Sequence, residues 1–133
     1  MTTEITQQTI LIVEDEISLR NALRDKFTRE GFIVFDAKDG EIGLAVGIRE
    51  QPQLILLDLM MPKMDGMTML HKLRSENEWG KSVPVILLTN LGADDKTIMK
   101  EIEEDTRAYY LVKSNWSMDQ MVEKVKETIA LTL

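Results

Sequence analysis

Four stretches of the chain carry unbroken apolar runs, and each ends on a polar or charged residue. Thr9–Val13 leads into Glu14-Asp15-Glu16, Leu54–Leu57 into Asp58, Val85–Leu88 into Thr89, and Ala108–Val112 into Lys113. Runs of this length without polar alternation are the pattern of strands covered on both faces in a parallel sheet. A fifth strand is predicted over Phe32–Ala37, where β-branched and aromatic residues cluster.

Between these runs the apolar period lengthens to that of a helix. Leu19, Ala22, Leu23 and Phe27 form one apolar stripe, closed by Gly31 as a C-cap. Asp39-Gly40 turns the chain into a second helix through Ile42, Ala45, Val46 and Ile48, weakened by glycines 43 and 47 and ended at Gln51-Pro52. A third helix carries Met69, Leu70 and Leu73 to about residue 75, and Glu76–Ser82 reads as a polar connection containing Trp79. Pro84 sits at the edge of the following strand. The Gly92–Asp95 loop supplies aspartates able to cap a helix through Ile98, Met99 and Ile102, whose acid-crowded end is expected to fray against the helix dipole. Ser117 and Gln120 have capping-box spacing, and Met118, Met121, Val122, Val125 and Ile129 define the buried face of the last helix.

Five strands alternating with five helices imply right-handed crossovers and a parallel sheet with helices on both sides. Five units are too few for the eight-fold barrel, so the open doubly wound sheet is favoured. The length of 133 residues and 44% hydrophobic content suit one domain over residues 9–133, preceded by a polar tail, residues 1–8. A formal charge of −7 argues against direct binding to nucleic acid or an anionic membrane, where phosphates are held by clustered Lys and Arg. With no cysteine, disulfides, thiol nucleophiles and thiolate metal sites are excluded, which fits a reducing compartment; cytoplasm is the expected location. No apolar run is long enough to cross a bilayer.

Each polar residue at a strand end has an ordinary explanation as a cap or turn residue. As a set they converge, because ligands of open α/β sheets bind at the carboxyl ends of the strands. Asp15, Asp58, Thr89 and Lys113 would meet at one rim, with Glu14 beside Asp15. Carboxylates held that close either take up a proton or enclose a cation. Oxygen donors without His or Cys select a hard ion such as Mg²⁺. With such an ion on one side and the Lys113 ammonium on the other, an incoming phosphoryl group is neutralised from two directions, leaving Asp58 as in-line nucleophile and aspartyl phosphate as product. A Thr89 hydroxyl could then bond a phosphoryl oxygen and draw in the loop after it.

At these residues the chain resembles the receiver domain of two-component response regulators over essentially its whole length. The match comprises Glu14-Asp15, Asp58 within Leu-Asp-Leu-Met-Met-Pro-Lys-Met-Asp-Gly, Thr89, and Lys113 after Tyr110. The resemblance implies the flavodoxin-like fold with parallel sheet order 2-1-3-4-5. It implies Mg²⁺ held by Asp15, Asp58 and the main-chain carbonyl of Met60, with Glu14 acting through water. It implies a phosphoryl group accepted by Asp58 from a histidine kinase or phosphotransfer protein, and Tyr110 as the switch aromatic that turns inward when Thr89 engages the phosphoryl group. The family's usual output surface, the fourth helix, fifth strand and fifth helix, would include Glu101 to Arg107. On this reading the chain is a signalling protein, monomeric or weakly dimeric, that catalyses at most its own phosphorylation and dephosphorylation and acts on a downstream protein.

Two positions depart from the family pattern. Ser114 follows Lys113 where receivers usually have a cis proline; a cis bond without proline costs about 3 kcal/mol, so the alternatives are a strained cis bond or a trans loop of different shape. Asn90 follows Thr89 where a small residue is usual, so its bulk crowds the phosphoryl group or its amide bonds to it. These departures leave open a receiver-like scaffold that is not phosphorylated. A metal-dependent phosphatase with an aspartyl nucleophile is the enzymatic alternative, but haloacid dehalogenase-type enzymes have a second acid where Met60 stands. A flavin carrier would need phosphate donors where Glu14-Asp15-Glu16 offers repulsion. His71 reads as an exposed helix residue without a role, Trp116 as a core or hinge anchor, and the methionines as adaptable core filler. The chain reads as a single-domain regulator or as a piece excised from a larger protein.

Overall fold

The computed structural model describes residues 7–90 and 96–132. Most of the expected tail and the Gly92–Asp95 capping loop lie outside the described residues. The chain runs β1 (Thr9–Val13), α1 (Ile17–Arg29), β2 (Ile33–Ala37), α2 (Gly40–Glu50), β3 (Leu54–Asp58), α3 (Gly66–Glu76), α4 (Glu78–Ser82), β4 (Val85–Thr89), α5 (Lys96–Glu104), β5 (Ala108–Val112) and α6 (Met118–Leu131). All strand pairs are parallel, and the sheet order is β2-β1-β3-β4-β5, as the resemblance implies.

The unbroken apolar runs are explained by what covers them. Successive side chains of a strand point to opposite faces. On one face Leu11, Val13, Ile55, Leu57, Val85 and Leu87 pack with Met69, Leu70 and Leu73 of α3 and Ile102 of α5. On the other, Ile10, Ile12, Leu54, Leu56, Ile86 and Leu88 pack with Leu23 and Phe27 of α1 and with Met121, Val122, Val125 and Ile129 of α6. Every residue of β3 and β4 is therefore buried. The expected capping box is present between Ser117 and Gln120, and Asp39 and Asp65 prove to be helix caps as well, Asp39 accepting from Ile42 N–H at 2.9 Å and Asp65 from Thr68 N–H at 2.8 Å. Gly31, after the last residue of α1, has a φ of +93°, the left-handed region that favours glycine at a helix end.

Three expectations are corrected. The inward stripe of α2 is Gly40, Gly43 and Gly47, whereas Ile42 and Ala45 are exposed. A Cβ at Gly43 would lie 2.8 Å from Val13 Cγ2, so the glycines let this helix lie directly on the sheet. The polar connection Glu76–Ser82 contains α4, capped by Asn77, whose side chain accepts from Gly80 N–H at 2.7 Å. One helical turn is too short to leave an apolar period, and Trp79 fills the space above Gly47 while its indole N–H donates to Pro52 O at 2.9 Å. Met118 is half-buried at the edge of the core rather than within it. Beside the acid-rich end of α5, Arg74 Nε donates to Asp105 Oδ2 at 2.9 Å, and His71 Nε2 lies 3.0 Å from Glu101 Oε2.

Candidate functional site

The strand register assembles the site. Val13 is opposite Leu57 and Asp58 is opposite Leu88, so Glu14 and Asp58 extend neighbouring strands to the same level. Thr89 is opposite Val112, the residue before Lys113. One carboxylate oxygen each from Glu14, Asp15 and Asp58 lie within 4.8 Å of one another. Lys113 Nζ stands 2.7 Å from Glu14 Oε1 and 3.3 Å from Asp58 Oδ2. Glu14, Asp58 and Thr89 are buried, whereas Asp15 faces solvent.

The loop after β3 is shaped by short contacts. Met60 N–H donates to Asp58 Oδ1 at 3.2 Å, and Gly66 N–H to Leu59 O at 2.9 Å. A Cβ at Gly66 would fall 2.5 Å from Asp58 O, so only glycine permits the backbone to return this close. Lys113–Asn115 form a single 3₁₀ turn, and no cis peptide occurs among the described residues, so the Lys113-Ser114 bond is trans. The turn carries Lys113 to the acids without the family's proline. Asn90 is exposed.

Burial and the shared position of two acids set the charge states. Asp58 is pushed up to about 7, chiefly by burial and then by Glu14, which shares a proton with it and repels its negative form; Lys113 and the Met60 N–H act in the opposite direction. Burial alone would raise Glu14, but the hydrogen bonds to Asp58, Lys113 and Glu16 N–H outweigh it and hold Glu14 below the usual carboxylate range. Burial likewise works against the Lys113 ammonium, and its bond to Glu14 with the attraction of both acids leaves it raised. The result is an ion pair between Glu14 and Lys113, with Asp58 beside it holding a proton near neutral pH.

The expected residues fall into two groups. Glu14, Asp15, Asp58 and Lys113 converge, with Thr89 adjoining on β4. Tyr110 stands apart on the edge strand β5, 37% exposed. The sequence analysis missed Arg20, one turn into α1, whose guanidinium donates to Glu14 O at 2.9 Å and reaches Asp15 O at 3.5 Å. Its place on the polar side of an amphipathic helix marks it only as a surface cation.

The sheet is flavodoxin-like, with an acidic pocket at its carboxyl rim, where ligands of open α/β sheets bind. The profile of the response regulator receiver domain matches residues 10–126. The chain belongs to this receiver domain family. It is 43% identical over 89 residues to the probable transcriptional regulator ycf27 of Cyanophora paradoxa, covering 67% of this chain and 36% of that protein. To the protein of the same name in Porphyridium aerugineum it is 37% identical over 118 residues, covering 77% and 48%. The chain thus spans less than half the length of these curated relatives. Among solved structures it is similar to the chemotaxis protein CheY4 of Vibrio cholerae (TM-score 0.82, 24% identity, 92% of this chain and 99% of that chain). It is also similar to the receiver domain of the Francisella response regulator 1452 (TM-score 0.82, 25% identity, 96% and 100%). Receiver domains act in two-component signalling and bind Mg²⁺ at an acidic pocket, the place that Glu14, Asp15 and Asp58 occupy here.

Proposed function

We propose that the chain accepts a phosphoryl group on Asp58 from a histidine kinase or phosphotransfer protein and that this modification switches its contacts with a downstream protein. The observation that carries the reading is the Lys113 ammonium set against a cluster of three carboxylates, at 2.7 Å from Glu14 and 3.3 Å from Asp58. Mg²⁺ fits this all-oxygen donor set and would be held by Asp15, Asp58 and the Met60 carbonyl, with Glu14 through water. When bound, it supplies positive charge that favours ionised Asp58 and neutralises the phosphoryl oxygens.

An ionised Asp58 oxygen forms the bond to phosphorus while the donor's phosphorus–nitrogen bond breaks, its electron pair returning to the imidazole. Lys113 neutralises charge from its own side and does not have to move far, since it already bridges Glu14 and Asp58. Thr89, next to Asp58 in the sheet, would then bond a phosphoryl oxygen, and Tyr110 would turn inward, altering the face formed by α5, β5 and α6. Beyond handling its own phosphoryl group the chain needs no enzymatic activity. The curated relatives are named as transcriptional regulators, so control of transcription is one output that fits. With a charge of −7, DNA contact would come from a segment or partner other than this domain. The cytoplasm, with a monomeric or weakly dimeric state, completes the reading.

Incubation with Mg²⁺ and a small phosphoryl donor should add one phosphoryl group by intact mass, and Asp58→Asn should abolish the gain. No gain in the wild-type chain counts decisively against the proposal.

A further inference from the structure

A single residue, Arg20, gathers every carbonyl of the connection between β1 and α1. Glu14 N–H still bonds to Ala37 O at 3.1 Å, and the chain then has only Asp15 and Glu16 before α1 begins at Ile17. Glu16, at the N-cap, makes no side-chain cap bond. The three carbonyls of the stretch turn to Arg20 instead. Its amide N–H donates to Glu16 O at 2.9 Å, while its Nη1 donates to Glu14 O at 2.9 Å and reaches Asp15 O at 3.5 Å. Arg20 is half-buried, takes main-chain oxygens rather than the carboxylates beside them, and makes no ion pair among the described residues.

Of the three acids, Asp15 is the one that lacks any other support. Glu14 is fixed by Lys113 at 2.7 Å and by Glu16 N–H, which donates to its Oε2 at 3.2 Å. Asp58 is fixed by Met60 N–H at 3.2 Å and by Lys113 at 3.3 Å. The Asp15 carboxylate faces solvent and has no hydrogen bond or ion pair among the described residues, yet one of its oxygens lies within 4.8 Å of oxygens from both buried acids. With no side-chain partner, that placement is set by the main chain at Asp15, whose carbonyl Arg20 engages. Groups that orient the ligands of a metal from outside govern its affinity almost as strongly as the ligands themselves.

We infer that Arg20 is a positioning residue for the acidic pocket: by drawing in the Glu14 and Asp15 carbonyls it holds the Asp15 carboxylate beside Asp58 for Mg²⁺. This rests on the proposed Mg²⁺ site. Charge alone would act with the opposite sign. A guanidinium next to three acids repels an incoming divalent cation, so its removal strengthens Mg²⁺ binding if charge is all that it contributes. Removal of a clamp weakens it.

The test is Mg²⁺ titration by calorimetry on wild type, Arg20→Met, Arg20→Lys and Lys38→Gln. Lys38 is the control for charge, since its exposed side chain lines the cleft beside Asp15 without a hydrogen bond or ion pair among the described residues. Arg20→Met should bind Mg²⁺ about tenfold more weakly. One nitrogen serves both carbonyls, so a lysine ammonium can restore the shorter contact, and Arg20→Lys should return to within about threefold of wild type. Lys38→Gln should bind at least as tightly as wild type. In the metal-free proteins, the carbonyl carbon resonances of Glu14 and Asp15 should shift in Arg20→Met while that of Ile12, inside β1, stays in place. Arg20→Met binding Mg²⁺ as tightly as wild type or more so overturns the inference, and so does Arg20→Lys binding no better than Arg20→Met; both results leave the metal site standing. A wild type that binds no Mg²⁺ removes the site and the role of Arg20 together.

Discussion

At Asp58 and Lys113, burial and neighbouring charge tie the protonation of the site to the stability of the fold. The Asp58 carboxyl is pushed up from an ordinary 3.8 to about 7, so between those values the folded chain holds a proton that the unfolded chain releases. Its contribution to stability therefore declines as pH rises from about 4 to about 7 and stays low above. Glu14, held below its ordinary value of 4.5, has the opposite sign: its contribution is present above that value and is lost as pH falls through the lowered one. Asp58→Asn should remove the decline, leaving the variant about 2 kcal/mol more stable than wild type at pH 8 and nearly equal at pH 5, by urea denaturation without divalent cations. A wild-type profile that is flat over this range, or parallel in the two proteins, would sink the assignment. Lys113→Met should cost about 3 kcal/mol at pH 7, because it leaves Glu14 buried beside Asp58 with no cation. The same measurement checks it, and the variant should also fail to accumulate the phosphorylated form.

At the scale of elements, α2 shows a helix whose contact face is made of missing side chains. Gly43→Ala gains up to about 1 kcal/mol in helix propensity. Its Cβ, however, would sit 2.8 Å and 2.9 Å from the two methyls of Val13, a side chain stiff at χ1 and locked in the sheet. Net destabilisation of about 1–2 kcal/mol is expected, visible as a lower thermal midpoint; a rise would mean that α2 rides further from the sheet. Gly66→Ala acts on the site instead, since its Cβ would lie 2.5 Å from Asp58 O. That variant should bind Mg²⁺ at least about tenfold more weakly by calorimetry, because second-sphere shifts of a ligand loop typically cost 10–100-fold. Arg74 has the comparable structural task on the opposite side of the molecule, joining Asp105 to the carbonyls of Gly80, Val83 and Arg107.

Under the proposed function, the whole molecule would couple its site to a distant surface through the sheet. Asp58 on β3, Thr89 on β4 and Tyr110 on β5 stand on successive strands, and Tyr110 is 37% exposed in this structure. In a Tyr109→Phe background, saturating Mg²⁺ and fluoroberyllate, which mimics aspartyl phosphate, should slow nitration of Tyr110 several-fold by peptide mass analysis, while Asp58→Asn should show no change. Unaltered nitration with the mimic bound would remove Tyr110 from the switch.

The apolar runs at Leu54–Leu57 and Val85–Leu88 were legible as covered strands because burial on both faces erases the polar alternation, and the cap at Ser117 declared itself through its spacing to Gln120. The runs that end on charged residues likewise pointed to Glu14, Asp15, Asp58 and Lys113, since strand ends of parallel neighbours share a rim. What only the tertiary structure decided lies in contacts between segments far apart in the chain: the glycines of α2 as a packing face, Trp79 closing over Gly47, Arg20 beneath the acidic loop, and the trans path at Ser114. None of these leaves a period or a motif, because each depends on how closely two elements approach. The register that brings Glu14 and Asp58 together, and so raises one carboxyl while lowering the other, is likewise fixed by the packed sheet rather than by either strand alone.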